Sequence, residues 1–174
     1  MNVILLSGIS GSGKNTYINR RFRNSTPVGV SGVAPINGIV CSADDFFEKT
    51  GSYVFDPKML GDAHGECLRK FIDEASFAYE ENQSWKVPEN LIVNNTNTTI
   101  EELAAYVSIA SAYKHPIEIV TIMCPPHIAA ARSLHINSLD VLKSMHDRLM
   151  SRKIPRFWRV KQTTVSEYLS HELA

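Results

Sequence analysis

Between an apolar run, Val3 to Leu6, and a segment that reads as helix, Tyr17-Ile18-Asn19-Arg20, the chain carries Gly8-Ile9-Ser10-Gly11-Ser12-Gly13-Lys14-Asn15-Thr16. Strand, glycine-rich turn and helix in that order restrict the fold severely. The glycines let the chain reverse sharply and bring backbone N–H groups to one point, at which the helix also directs its positive end. G-x-x-x-x-G-K in this setting is the pattern of a phosphate-binding P-loop. Gly8, Ser10, Gly11, Ser12, Gly13, Lys14, Asn15 and Thr16 are therefore the expected contacts of a nucleotide, with Lys14 reaching its β and γ phosphates. Position 15 departs from the pattern. The usual Ser or Thr places a hydroxyl on Mg²⁺, whereas Asn15 offers an amide carbonyl, a donor that a hard cation accepts. Asn15 is the candidate metal ligand, because Thr16 points about 100° away around the helix.

The rest of the chain alternates strand-like and helix-like segments. Asn24 to Gly38, rich in Gly, Pro and Ser, reads as a long loop. Ile39-Val40-Cys41-Ser42, Leu91-Ile92-Val93 and Ile117 to Met123 read as short buried strands. Asp56-Pro57 is a helix start, followed by apolar Leu60, Cys67, Leu68, Phe71, Ile72 and Ala75 at helical spacing. His64 shares that face and is expected in the core. Thr99 to Tyr113 reads as an amphipathic helix opened by a capping box, with Thr98 or Thr99 and Glu101 or Glu102 as its members. Helices at about Ile128 to Leu134, Ser138 to Met150 and Val165 to Leu173 complete the pattern. The alternation predicts an α/β fold, a P-loop NTPase-type parallel sheet with helices on both faces.

A chain of 174 residues is expected to form a single domain, here a P-loop kinase domain over 1–174. No apolar run approaches the ~20 residues of a membrane span, and the N-terminal stretch lacks the basic region of a signal peptide. The expectation is a cytoplasmic protein with no membrane partner and no protein partner evident. Cys41, Cys67 and Cys124 have no metal or redox spacing and are expected as reduced thiols. The net charge of zero hides an asymmetry. Arg148, Arg152, Lys153, Arg156, Arg159 and Lys161 fall in one stretch without an acidic residue, which leaves the remaining twelve basic residues against all 18 acidic ones. With Phe157 and Trp158 among them, these charges suit a polyanionic partner whose bases stack on the aromatics. The other reading is a solvated helix end with both aromatics turned inward.

In a parallel sheet of this kind the ligand lies beyond the carboxyl ends of the strands. Asp44-Asp45 and Asn94-Asn95-Thr96-Asn97 follow the second and third predicted strands, on the edge that carries the P-loop. Three polar clusters meet on one rim. Phosphoryl transfer to a hydroxyl requires a phosphate cradle, a carboxylate for the hydroxyl proton and cations for the transferred group. Asp44 and Asp45 are the candidate carboxylates.

Ser42-Ala43-Asp44-Asp45-Phe46-Phe47, Tyr53-Val54-Phe55 leading to Ala63-His64, Val93-Asn94-Asn95-Thr96-Asn97, and Arg132 and His135 ahead of Met145, taken with the P-loop, resemble the P-loop polynucleotide kinase family over about residues 2 to 150. The resemblance implies that Asp44 is the general base, that Lys14 holds the donor phosphates and that Arg132 belongs to a lid. It implies that Asp45, Asn95, Thr96 and Asn97 lie near the acceptor. The chain departs from the phage member at Asn15, at Phe47 and Asn95, where that enzyme has arginine and aspartate, and near Ile136, where it has a second lid arginine. The implied activity is ATP-dependent phosphorylation of a nucleic-acid hydroxyl, most simply a polynucleotide 5′ end, with ATP and Mg²⁺ as cofactors. A kinase for another hydroxyl (a hydroxymethylated base in phage DNA, a nucleoside or a small metabolite) and a nucleotide-binding module without turnover are the alternatives.

Overall fold

The computed structural model describes residues 1–23, 36–48, 53–80, 87–133 and 138–166. Strands β1 (Asn2–Ser7), β2 (Ile39–Cys41), β3 (Asn90–Asn94), β4 (Ile117–Ile122) and β5 (Lys161–Val165) form one parallel sheet of order β2-β3-β1-β4-β5. The apolar run ahead of the P-loop is the central strand, with Leu5 level with Val93 on one side and Ile119 on the other.

Successive side chains of a strand point to opposite faces, so each inner strand feeds two cores. Val3, Leu5, Leu91, Val93 and Ile119 meet Phe71 of α3 (Leu60–Glu80) and Leu103 and Val107 of α4 (Ile100–Ala112). Ile4, Leu6, Ile92, Val120 and Ile122 meet Ile18 and Phe22 of α1 (Lys14–Phe22). Because both faces are covered, these strands are apolar throughout instead of alternating, and the short apolar runs in the sequence are the consequence. A third cluster, Ile9, Cys124 and Ala129, seats α5 (Pro126–Arg132) against the P-loop. The remaining helices are the short α2 (Asp44–Phe47) and α6 (Leu139–Ser151).

Local signals work as expected at several ends. Asp56 accepts a hydrogen bond from Lys58 N at 2.9 Å and opens a 3₁₀ turn, Pro57–Met59, that runs into α3. The capping box of α4 is Thr99 with Glu102. Ser138 caps α6 through Val141 N. All three cysteines are free and buried.

Two expectations about elements fail. His64 is exposed, and the buried stripe of α3 is Ala63, Cys67, Phe71, Ala75 and Ala78. Rows of i, i+4 advance about 40° per step around a helix, so the face that meets the sheet drifts and leaves His64 outside it in the first turns. Val165 does not begin a helix but ends β5, parallel to β4 with Ile122 level with Val165; residues 167–174 of that expected helix lie outside the described residues. His135 and Ile136 lie outside them as well, as does 24–35 of the expected loop. Among the described residues no helix is long and apolar enough to cross a membrane.

Candidate active site

β1 ends at Ser7, and the chain then winds back on itself before α1 begins at Lys14. Gly13 caps α1 with φ 99° and Gly11 has φ 77°, both in the left-handed region that glycine enters without strain. Gly11 has a second constraint, since a Cβ there would collide with the carbonyl of Ala129 in α5. Ser12 N donates to Ile9 O at 3.1 Å and Gly8 N to Thr96 O at 2.8 Å, which fixes the loop from within and from behind. Ser12 Oγ is buried and has no hydrogen-bond partner among the described residues, a polar atom left for a ligand of the loop.

The loop is one wall of a cavity of about 620 Å³. Ser10, Gly11, Ser12, Gly13, Lys14, Asn15 and Thr16 line it together with Val40, Ser42, Asp44, Asp45, Glu48, Tyr53, Asn94, Arg132 and Ser133. Thus the P-loop, the Asp pair after β2 and Arg132 at the end of α5 come together.

Lys14 Nζ donates to Gly8 O at 3.1 Å and Ile9 O at 3.0 Å, closing the loop around its own side chain. Burial pulls its ammonium down to about 8, and the Asp44 carboxylate works in the other direction. A cation held below its ordinary range by desolvation gains most from an incoming anion.

Asp44 and Asp45 begin α2 and differ in their partners. Asp45 forms an ion pair with Lys70 at 3.0 Å, and Lys70 also donates to Val40 O at 2.7 Å. Asp44 is met by the Tyr53 hydroxyl, which lies 3.5 Å from Oδ1. Burial and then the Asp44 charge push the Tyr53 hydroxyl up to about 12, so it stays a donor at neutral pH. Tyr53 and Phe55 pack on Phe47, with ring centroids 6.1 Å and 5.2 Å away. Phe47, one of the departures from the phage enzyme, is core, 6 % exposed, and carries the aromatic segment that reaches Asp44. Glu48 is a cavity residue that sequence reasoning missed; its spacing of four from Asp44 on a helix is the signal that was there to find.

The cluster after β3 divides sharply. Asn94 lines the cavity. Asn95 is buried and turned away, accepting from Ala43 N at 2.9 Å and donating to Cys67 Sγ at 3.3 Å and Tyr106 Oη at 3.4 Å. Asn97, with φ 43°, donates to Leu6 O at 2.7 Å, while its own carbonyl accepts from Ser7 Oγ at 2.7 Å. Thr96 contributes its carbonyl to Gly8 N. Asn95 and Asn97, with the carbonyl of Thr96, make internal hydrogen bonds that hold the P-loop and the β2 exit in place, and none of these three expected acceptor-side residues lines the cavity.

The basic stretch is also divided. Arg148 donates to Thr98 Oγ1 and Ser144 Oγ. Arg152 donates to Ser7 Oγ, Asn97 O and Thr121 Oγ1 at the carboxyl edge of the sheet. Lys161 pairs with Glu118 at 2.9 Å near the amino edge. Lys153, Arg156 and Arg159 are exposed, Phe157 is 81 % exposed, and Trp158 packs against the core with Ile154 and Val160. The segment therefore runs down the α3–α4 face from the rim of the cavity to the far edge.

At the expected metal position Asn94 Nδ2 donates to Asn15 Oδ1 at 2.8 Å. P-loop NTPases hold Mg²⁺ with the hydroxyl of the P-loop Ser or Thr and an aspartate of a neighbouring strand. Two mutually bonded amides do not reproduce that donor set. Among the described residues no group of three His, Cys, Asp or Glu side chains forms a metal cluster.

Comparison with known proteins agrees with this geometry. The human NEDD4-binding protein 2 is 30% identical over 115 residues, which is 66% of this chain and 5% of that protein. A crystal structure from Chloroflexus aurantiacus j-10-fl, assigned provisionally as a kinase, is 13% identical, with TM-score 0.54 over 99% of this chain and 88% of that one. A gluconokinase from Sinorhizobium meliloti 1021 is 13% identical, with TM-score 0.46 over 95% and 82%. The family described as the AAA domain matches residues 3–135, from the first residues of β1 through the P-loop and the Asp pair to the end of α5. The chain belongs to this P-loop, kinase-like AAA domain family.

Proposed function

We propose that this chain, acting as one kinase domain over 1–174, transfers the γ-phosphate of ATP to a hydroxyl, with a polynucleotide 5′-hydroxyl end as the acceptor. The observation that carries the reading is a single cavity that unites a phosphate cradle and its lysine with a carboxylate and a lid arginine, Lys14, Asp44 and Arg132. Lys14, protonated once phosphate replaces the loop carbonyls around it, holds the donor. Asp44 accepts the proton of the attacking hydroxyl, and the Tyr53 hydroxyl on Oδ1 orients that carboxylate. Arg132 offsets charge on the transferred group.

A specific observation favours the second reading, a kinase for a small hydroxyl compound. None of the six basic residues of the stretch lines the cavity, and Arg152 is engaged within the protein. Transfer of labelled γ-phosphate to a panel of 5′-hydroxyl DNA, 5′-hydroxyl RNA, hydroxymethyluracil DNA, nucleosides and small polyols separates the two. Label on the oligonucleotide ends supports the first reading, and label confined to small acceptors the second. ATP binding with no label on any acceptor would leave a nucleotide-binding module without turnover.

A further inference from the structure

Asn15 stands where the P-loop pattern has the hydroxyl that holds a divalent cation, and Asn94 is bonded to it from the neighbouring strand. Asn15 follows the P-loop lysine and points from the first turn of α1 into the cavity. Asn94 is the last residue of β3, the strand beside β1, and lines the same cavity. The first is the place of the hydroxyl that elsewhere holds Mg²⁺ together with a carboxylate, and the second is the side chain that meets it across the cavity. Here Asn94 Nδ2 donates to Asn15 Oδ1 at 2.8 Å, and Asn94 Oδ1 is buried without a hydrogen-bond partner among the described residues. Reversing both amides only exchanges donor and acceptor. In either orientation one oxygen is engaged by the other side chain, and neither residue brings negative charge. The carboxylates on the cavity wall, Asp44, Asp45 and Glu48, all belong to the segment after β2, and Asp45 is paired with Lys70.

We infer that the Asn15–Asn94 pair makes nucleotide binding by this chain indifferent to divalent cation: the loop holds ATP through its backbone and Lys14, and a metal that arrives with the phosphates finds no anionic ligand on the first turn of α1 or at the end of β3. A hydroxyl and a carboxylate tighten a metal–nucleotide complex because the anionic ligand binds the cation in water-poor surroundings. A pair of amides already bonded to each other must first separate, and offers only dipoles in return. The inference rests on the nucleotide-binding reading.

The test is ATP affinity of the full chain, measured by fluorescence of a labelled analogue and by calorimetry, in EDTA and in excess Mg²⁺, for the natural chain and for Asn94→Asp and Asn15→Ser/Asn94→Asp. The natural chain should change by less than about threefold between the two conditions, and the double variant should bind at least about tenfold more tightly with Mg²⁺ than without. Tightening of about tenfold or more in the natural chain would overturn the inference, whether or not the double variant folds. So would a folded double variant, verified by its melting curve, that stays as indifferent as the parent. No ATP binding by the natural chain in either condition would overturn the nucleotide reading itself, and thus separates the two failures.

Discussion

Arg152 Nη1 donates to the hydroxyl of Ser7 at 2.6 Å, joining the end of α6 to the end of the central strand. The same guanidinium also reaches Asn97 O and, at 3.2 Å through Nη2, Thr121 Oγ1, so one side chain closes the carboxyl ends of β1 and β4 and the loop after β3. Burial lowers its pKa, against a smaller opposing effect of Glu102. Arg152 is part of the frame behind the P-loop.

Arg152→Met should therefore cost about 2–3 kcal/mol, since it removes charge-assisted hydrogen bonds and takes a donor from acceptors on buried Ser7 and Asn97. Lys153→Met, one residue on and exposed, should stay within about 0.5 kcal/mol. Urea denaturation of both variants checks this, and equal midpoints would return Arg152 to the surface charges.

Nucleotide binding should take up protons near pH 8. In the free protein burial holds Lys14 at about 8, below the ordinary 10.5, so the unfolded chain carries more protons between those values and stability rises with pH across that window. Bound phosphate favours the ammonium, so at pH 8 binding should draw in about half a proton, falling toward none near about pH 6. Calorimetry in buffers of different ionisation enthalpy measures the uptake. Its disappearance in Lys14→Met assigns it, and a binding enthalpy independent of buffer at pH 8 would refute it.

Asp44→Asn should reduce turnover by roughly 10²–10⁴-fold and leave ATP affinity nearly unchanged, because it removes a base and no phosphate contact. Tyr53→Phe, which removes only the donor on Oδ1, should cost less than Asp44→Asn. Asp45→Asn releases Lys70 and should change turnover least of the three. Single-turnover rates with saturating ATP rank the variants; Asp45 as the most sensitive position would reverse the assignment of the pair.

With Arg152 held internally and Arg148 and Lys161 engaged in hydrogen bonds or an ion pair at the surface, the basic side chains most open to a polynucleotide are Lys153, Arg156 and Arg159. Replacing these three with Gln should lower the slope of log affinity against log salt by about 2 for a single strand, about 0.7 per lost contact. An unchanged slope would shift the acceptor toward a small hydroxyl compound.

Asn95→Ala should destabilise the fold by about 1–3 kcal/mol without altering the KM for any acceptor, because it strips Ala43 N and Tyr106 Oη of a buried partner. A raised KM with unchanged stability would restore Asn95 to the acceptor side.

The elements that sequence announced most clearly were those whose instructions are local. The P-loop glycines, the Asp56-Pro57 start and the Thr99–Glu102 box each act within a few residues, and each was legible. β5 was not. Lys161-Gln162-Thr163-Thr164-Val165 is a polar edge strand with no buried residue, so the apolar run that betrays an inner strand is missing. The run Asn94-Asn95-Thr96-Asn97 marked the correct rim but not the direction of each side chain. Asn97 is committed to Leu6, 91 positions away, and Asn95 to Ala43, 52 away, and no spacing within the run encodes such partners. The Asn15–Asn94 bond, 79 positions apart, was hidden for the same reason, although both of its members stood in view.

The bare backbone of Gly11 lies directly on the carbonyl of Ala129, and beside it Ser10 Oγ and Ser133 Oγ share a hydrogen bond of 3.1 Å. These two points of attachment bracket Arg132. Loop and helix thus form a lever with a very short arm: with backbone against backbone at Gly11 and Ala129, a shift of the loop should be delivered to the α5 turn that ends in Arg132, with no intervening side chain to absorb it. A methyl group at position 11 would act as a wedge in that joint, pushing the turn that carries Arg132 away from the loop.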